Sequence, residues 1–290
     1  MRRAGTDGIF RQISLTAIVS LSATLAAGAA YSAEQSGTVR TGNLPISYSK
    51  VSLYQAGTTT GGKATLIDKT KADSQGEFQI SYTAPSGEAV LYLIAKGGSI
   101  DKFGLKSKRG RVRFATVLGA GSAPGSIVIN ERTTVATAYA FAQFVDGKHI
   151  SGVAPGPKNA ALTLRNLVNL RNGGIGSVLG SKPNGPKTQT MDEFNSLANM
   201  LAACVRGRLT RGCKQLFNLA RSPGGSKAKN TLQAAVNIAH SPGKKVADLF
   251  SLSMEANVYT PALKDAVGTW TLALLYDSSG KKVDGPGSIV

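Results

Sequence analysis

The chain has few of the side chains from which metal sites and common catalytic centres are built. Its 290 residues include only two Cys, two His and one Trp. The spacing of the Cys and His residues fits no zinc finger or zincin. A Gly-x-Ser-x-Gly nucleophile elbow is missing as well. The sequence therefore gives no basis for a zinc centre or a serine hydrolase.

Carboxylates and glycines make no better case for catalysis. The acids are scattered over predicted turns and helix starts, and nothing singles out a pair with glycosidase spacing. Asp73 has no second carboxylate at a calcium-loop spacing, so we expect it to accept hydrogen bonds within its own turn. Gly174-x-Gly176 follows a predicted helix, not a strand, and so lacks the context of a dinucleotide fingerprint. We predict a loop there, and we predict no enzyme and no cofactor.

Positive charge dominates among the residues that are present. The formal net charge is +18, from 34 Lys and Arg against 16 Asp and Glu. Such a chain adheres to anionic surfaces. The basic residues lack the interleaved aromatics of a single-strand platform, so we expect no specific nucleic acid. The expected contacts are anionic glycan, lipopolysaccharide or a membrane surface, and the sequence identifies no partner protein.

Residues 1–33 have the three parts of an export signal. A basic start is followed by the apolar, small-residue stretch "ISLTAIVSLSATLAAGAA", and "AYSA" gives a cleavage-like end at Ala33. Cleavage there would leave Glu34 as the new N-terminus. The alternative is an uncleaved anchor, because the apolar run is nearly long enough to span a membrane. We predict an exported protein, periplasmic or extracellular.

Residues 34–130 have the pattern of short antiparallel strands separated by Gly and Pro. About seven strands are predicted, which is typical of a β-sandwich. "GTVRTGNLPISYSKVSLY" and "TKADSQGEFQISY" resemble the carboxypeptidase regulatory-like, transthyretin-like family of small Ig-like sandwiches, over residues 37–97. The resemblance implies an adhesion or accessory domain without catalysis. In this sandwich we expect Gly76 to supply a turn and Phe78 to anchor the core.

Residues 131–270 change to a helical period. We expect Thr133 or Thr134 to cap the first helix, with Glu131 and Arg132 solvated or paired at the junction. The aromatic residues that follow, Phe141 and Phe144, are predicted to be core.

Further helices are predicted in "KNAALTLRNLVNL", "TMDEFNSLANMLAACV", "NTLQAAVNIA" and "KVADLFSL". The second has Thr190 and Glu193 at capping-box spacing, and Asn230 is the expected cap of the third. Another helix is expected to start at Thr260–Pro261, whereas "TWTLALLY" returns to strand character. Residues 271–290 are assigned to an exit strand and tail. The predicted class is α+β, a sandwich followed by a mostly helical domain.

The second half resembles a region of exported bacterial proteins that precedes an NHL-type or streptogramin-lyase-like β-propeller. The likeness lies in "INERTTVATAYAFAQF", "LANMLAACV", "CKQLF", "NTLQAAVNIAHSPGKKVADLF", "YTPAL" and "TWTLALLY", over residues 127–276. "DGPGSIV" looks like the first phrase of a propeller blade, and no blade follows it here. Two functions of different class are therefore expected: a non-catalytic interaction or scaffold protein, or the accessory region of a propeller enzyme whose catalytic domain is missing from this chain.

Between two predicted strands, the segment "SIDKFGLKSKRGRVRF" concentrates positive charge. Its basic residues form the candidate anion-binding set: Lys102, Lys106, Lys108, Arg109, Arg111 and Arg113. A solvated loop is the simpler interpretation, since blocks of like charge are often merely exposed. In the functional interpretation the segment binds acidic glycan or lipid, and this binding weakens with salt.

A disulfide is predicted between Cys204 and Cys213, the two cysteines of the chain. Disulfides persist in exported proteins, and this pairing leaves no odd thiol. The intervening "VRGRLTRG" has two Gly and allows the chain to turn back. A redox pair is the competing interpretation, but eight intervening residues is not the close spacing that lowers a thiol pKa in oxidoreductases.

Overall fold

The computed structural model describes residues 32–85, 89–100, 105–106, 111–120, 125–206 and 211–276, besides Met1. Within these ranges the chain is a mixed α+β protein, as predicted, with most strands in its first part and most helices in its second. The predicted leader lies outside the described ranges except for Met1 and its last two residues.

The strands are short, and seven of those described have four or more residues. Their bounds are β1 Ser32–Thr41, β2 Leu44–Pro45, β3 Lys50–Gln55, β4 Thr65–Lys71, β5 Glu77–Thr83, β6 Val90–Lys96, β7 Ser99–Ile100, β8 Leu105–Lys106, β9 Arg113–Ala120, β10 Ser126–Ile129, β11 Val145–Asp146, β12 His149–Ile150, β13 Val168–Asn169 and β14 Gly174–Ile175.

The helices occupy the second part at nearly the predicted positions. Their bounds are α1 Glu131–Ala140, α2 Gly156–Leu167, α3 Ser177–Gly180, α4 Thr190–Arg206, α5 Arg211–Leu219, α6 Thr231–His240 and α7 Val246–Ser253. The predicted loop around Gly174 and Gly176 instead contains the small hairpin of β13 and β14, followed by α3.

Two larger sheets contain the main strands. In the first, β1 pairs in parallel with β10 and antiparallel with β2 and β5. The second has the order β4-β3-β6-β9, and all its pairs are antiparallel. β1 includes Ser32 and Ala33, which pair with Thr83 and Tyr82. The predicted cleavage after Ala33 would therefore fall inside β1, and it stays a prediction.

One buried apolar cluster connects both sheets with the helices. Phe78 and Ile127 contribute to it from the first sheet, Leu93 and Phe114 from the second, and Phe194 from α4. Helices α1, α2 and α6 pack against β9, the strand at one edge of the second sheet. The helices thus cover the β9 edge of this sheet, whereas β4, at the opposite edge, carries mostly exposed side chains.

The predicted hairpin turn before β5 is confirmed. Asp73 accepts hydrogen bonds from the backbone N–H groups of Gln75 and Glu77, both at 2.8 Å. Gly76 has φ +76°, and a Cβ there would lie 2.6 Å from the Val39 carbonyl oxygen. The turn therefore requires glycine at this position. Phe78 follows it and is buried, as expected of a core anchor.

The first helix is capped by Asn130. Its side chain accepts a hydrogen bond from the Thr133 N–H at 3.0 Å, and the Thr133 hydroxyl accepts one from the Asn130 N–H at 3.0 Å. The two residues form a capping box. Thr134 instead accepts from the Ala115 N–H of β9. The prediction was therefore wrong about the cap, because Asn130 reaches the first-turn amides from just outside the helix.

The side chains of Thr190 and Phe144 also differ from prediction. The Thr190 hydroxyl donates to the Ala273 carbonyl at 2.7 Å, so it forms no capping box with Glu193. Phe141 is fully buried, as predicted. Phe144 is only half-buried because it lies in a short 3-10 turn after α1 has ended, although its ring still meets that of Phe141 edge to face, with centroids 6.1 Å apart.

The chain after α7 contains neither the predicted helix at Thr260–Pro261 nor a strand in its described part, residues 271–276. Helix and loop side chains bind it instead. Asn184 exchanges two hydrogen bonds with the backbone of Leu275, and Asn166 donates to the Tyr276 hydroxyl at 2.9 Å. Because side chains satisfy these backbone groups, the segment needs no partner strand. Residues 277–290 lie outside the described ranges.

Candidate anion-binding surface

Four basic residues face one another across the second sheet. Lys50 of β3 is directly opposite Lys71 of β4 on one side and Lys96 of β6 on the other. Lys96 is in turn opposite Arg113 of β9. Each of the four strands therefore contributes one cation at the same level of the sheet. We call these four residues the cationic row.

The pairing determines the geometry of the cationic row. Directly opposite residues of antiparallel strands point to the same face, and neighbouring strands lie about 4.8 Å apart. The four positions therefore form a line about 14 Å long, perpendicular to the strands. Lys50, Lys71 and Lys96 are exposed, whereas Arg113 is half-buried, and burial lowers the pKa of its guanidinium.

The cationic row lies at the border of the helix layer. Two positions further along the same face, Ile94 and Ala115 are buried. At the β9 end, the Thr231 hydroxyl at the start of α6 accepts from the Arg113 N–H at 2.9 Å and donates to its carbonyl at 2.6 Å. The helices therefore cover the apolar part of this face, and the cationic row lies at the edge of the covered area.

No described acid lies within ion-pair distance of the cationic row; within the described ranges the ion pair found is Lys245–Asp248, at 3.7 Å. Asp73 and Glu77 share an open hollow of about 500 Å³ with Lys71 without pairing with it. Like charges directly opposite each other destabilise a sheet. The four cations therefore oppose folding where they stand, and an anionic partner would remove that repulsion.

Tyr48 stands beside the Lys71 end of the cationic row. Its side chain is 49% exposed, and the Lys71 ammonium lies 4.8 Å from the centroid of its ring. Its backbone has φ +60°, which is a rare conformation for a bulky residue. A hydrogen bond from the Tyr48 N–H to the Asp73 carbonyl at 3.0 Å holds it there. Backbone strain of this kind clusters at functional sites.

The structure describes only part of the basic segment predicted from the sequence. Lys102, Lys108 and Arg109 lie outside the described residues, and Lys106 belongs to β8. Arg111 is exposed, and its carbonyl accepts from the N–H of Thr231 at 3.0 Å.

Of the predicted set, Arg113 belongs to the cationic row, two residues after Arg111 in sequence. The other three members, Lys50, Lys71 and Lys96, were missed because they are 21 and 25 residues apart in sequence. Their common signal is a Lys at the end of a predicted strand, which becomes informative only when the strand pairing is known.

The predicted disulfide between Cys204 and Cys213 is present, with its Cα atoms 4.1 Å apart. It joins the end of α4 to the start of α5, and both cysteines are buried. Burial of this kind fits a structural bond.

A buried carboxylate was missed at the strand-to-helix junction. Glu131 was expected to be solvated or paired, but it is fully buried. It accepts hydrogen bonds from the Thr41 hydroxyl at 2.5 Å, the Tyr259 hydroxyl at 2.5 Å and the Gly42 N–H at 3.3 Å. Burial raises the pKa of Glu131, and these three donors act against the rise. Because both oxygens are occupied, this carboxylate serves the fold.

Arg132 is also drawn into the interior. Its guanidinium lies 4.5 Å from the centroid of the Tyr259 ring and donates to the Asn195 side chain at 2.9 Å. Asn195 in turn donates to the Pro261 carbonyl at 2.6 Å. The polar residues of the junction therefore bind the segment after α7.

A second buried carboxylate, Glu193, lies on α4. It accepts a hydrogen bond from the backbone of Thr271, and burial raises its pKa to about 7. Its Oε1 atom has no hydrogen-bond partner within the described chain, and the same is true of the indole Nε1 of Trp270. Glu193 is therefore a buried carboxyl group whose charge is poorly compensated by contacts.

Comparison with known proteins supplies no family. No protein-family model matches the chain, and no curated protein matches it. A solved structure, that of a 9R-lipoxygenase from Cyanothece PCC8801, is similar with a TM-score of 0.21 and 13% identity, over 66% of this chain and 32% of that one. The chain thus spans about a third of that structure's length, and a likeness this weak carries no argument about fold or activity.

The described residues contain no group of three or more His, Cys, Asp or Glu placed to hold a metal ion. None of the described helices is both long and apolar enough to cross a bilayer.

Proposed function

We propose that this chain is an exported, non-catalytic interaction or scaffold protein that binds anionic cell-surface polymers. The observation that carries the proposal is the cationic row, four cations on one face without counter-ions among the described residues. The net charge of +18 adds a long-range attraction for anions. The cationic row is the surface that contacts the anionic polymer directly.

The architecture that belongs to this proposal is a transthyretin-like β-sandwich followed by a helical module. It is supported by seven strands of four or more residues, arranged in two sheets that share one apolar cluster. The sequence resemblance to carboxypeptidase regulatory-like domains supports an adhesive or accessory role. Export is supported by the leader-like residues 1–33 and is compatible with the disulfide.

The second candidate is the accessory region of a β-propeller enzyme, which rests on the likeness of residues 127–276 to regions that precede NHL-type propellers. In that case the present chain would still bind through the cationic row, and catalysis would belong to the propeller. Blade-like repeats encoded directly downstream of Val290 would favour this candidate.

Binding to heparin and to vesicles containing phosphatidylglycerol tests the proposal. We expect retention at low salt that falls steeply between about 50 and 200 mM NaCl, because each charge contact releases counter-ions. Absence of retention on both anionic matrices at low salt would refute the proposed function.

A further inference from the structure

We propose that the cationic row is a track for a linear acidic polysaccharide, which lies across the strands with one charged sugar opposite each strand. This inference rests on the proposed function and specifies its ligand class. The track contains Lys71, Lys50, Lys96 and Arg113 in spatial order, with Tyr48 at its Lys71 end.

The arrangement of the charges favours a linear ligand over a membrane. The four cations form a single line about 14 Å long. Two positions from the row toward the middle of the strands, the residues on the same face are Lys69, Ser52, Ile94 and Ala115. Only Lys69 adds a charge in that direction. A lipid surface presents headgroups in two dimensions and is best met by a broad patch of cations. One line of cations is matched by one polyanionic chain.

The spacing favours a sugar polymer over nucleic acid. Successive strands place successive cations about 4.8 Å apart, which is about the length of one sugar ring with its glycosidic bond. A DNA duplex carries two rows of phosphates that wind around its axis, with one charge per about 1.7 Å of axis, so its charges do not follow the single straight line that the cationic row forms. The series of exposed aromatics on which single-strand bases stack is also missing from the described part of this face.

Tyr48 supplies a contact that charge alone does not. Sugar rings present apolar C–H faces, and a half-exposed tyrosine ring offers an apolar body with a polar tip. The left-handed backbone conformation at position 48 is strained for tyrosine and would suit glycine better. The chain nevertheless has tyrosine there, with its ring beside Lys71, and strain of this kind clusters at functional sites. We therefore assign Tyr48 the sugar ring at the end of the track.

The decisive experiment measures the affinity of full-length protein for polygalacturonate, which has one carboxylate per sugar. The row variant is Lys50→Gln, Lys71→Gln and Lys96→Gln in one chain. The control variant is Lys182→Gln, Lys187→Gln and Lys214→Gln, which removes the same charge from exposed positions elsewhere. We expect at least about a tenfold loss in the row variant and less than about a twofold loss in the control.

Oligogalacturonates of defined length then test the track. Affinity should rise steeply up to about four sugars, the number of cations, and only slowly beyond. Tyr48→Gly should weaken binding about threefold or more while its thermal midpoint stays equal to or above that of the wild type. A Tyr48→Gly protein that binds as tightly as the wild type would remove Tyr48 from the track.

The outcomes separate this inference from the proposed function. Wild-type binding to phosphatidylglycerol vesicles, with none to polygalacturonate or to heparin, overturns the polysaccharide track and leaves the proposed function intact. Equal losses in the row and control variants overturn the track as well, since only net charge would then matter. Failure to bind any anionic probe overturns both.

Discussion

Replacing Glu193 with Gln should stabilise the protein above neutral pH. The native pKa of about 7 lies above the ordinary value of 4.5 because burial disfavours the charged carboxylate. Between these two values the native state holds a proton that the unfolded state has lost, so the free energy of unfolding falls as pH rises through this window. At 1.36 kcal/mol per pH unit, the full window corresponds to about 3 kcal/mol.

The prediction is checked by urea denaturation of wild type and Glu193→Gln at intervals from pH 5 to pH 8. The variant should gain stability relative to the wild type with rising pH, by up to about 3 kcal/mol between the ends of this range. Other titrating groups are common to both proteins and cancel in the difference. A difference that does not change with pH would refute the assignment of a raised pKa to Glu193.

Three further predictions concern stability. Replacing Cys204 and Cys213 together with Ser should lower the free energy of unfolding by about 2–3 kcal/mol, because the short loop they close is freed in the unfolded chain; chemical denaturation measures this. Phe141→Ala should lower the free energy of unfolding by about 3–5 kcal/mol and Phe144→Ala by clearly less, since only the Phe141 ring is fully buried. The thermal midpoints of the two variants show which loss is larger. Tyr259→Phe should cost about 1.5–3 kcal/mol, because it removes a hydroxyl donor from a buried carboxylate; urea titration gives the value.

Each of these measurements has its own control. Reduction of the wild type should reproduce most of the loss seen without the two cysteines, and an unchanged midpoint on reduction would contradict the assigned role of the disulfide. Equal losses in the two phenylalanine variants would show that both rings are core. For the tyrosine variant, Tyr82→Phe is the matched control, with an expected change below about 0.5 kcal/mol because no hydrogen bond of its hydroxyl is recorded in the structure.

Much of the fold follows from local sequence patterns. Periodicity alone located α4, α6 and α7 to within about a residue, and Asn230 caps α6 as expected. The turn at Asp73 and Gly76 also follows from residue types that act on their own neighbours. At the first helix the same logic was available, since Asn130 and Thr133 stand at capping-box spacing.

What could not be predicted depends on contacts between distant parts of the chain. The pairing of Lys50 with Lys71 and Lys96 requires the strand order, and the sequence contains several strands of similar pattern. The burial of Glu131 depends on donors 90 residues before it and 128 residues after it. The segment "TWTLALLY" was predicted to be a strand because its apolar pattern indicates burial. The pattern does not reveal which groups form hydrogen bonds with its backbone.

The buried Glu131 also has a consequence for the order in which the molecule folds. Thr41 and Gly42 come from the first strand region, while Tyr259 comes from near the end of the described chain. Closing such distant contacts requires long loops to be ordered, which slows the final step of folding. A nascent chain that has not yet reached Tyr259 would leave the carboxylate without its hydroxyl donor from that side. We therefore expect the contacts around Glu131 to be completed late in synthesis, after the strands and helices on either side have formed.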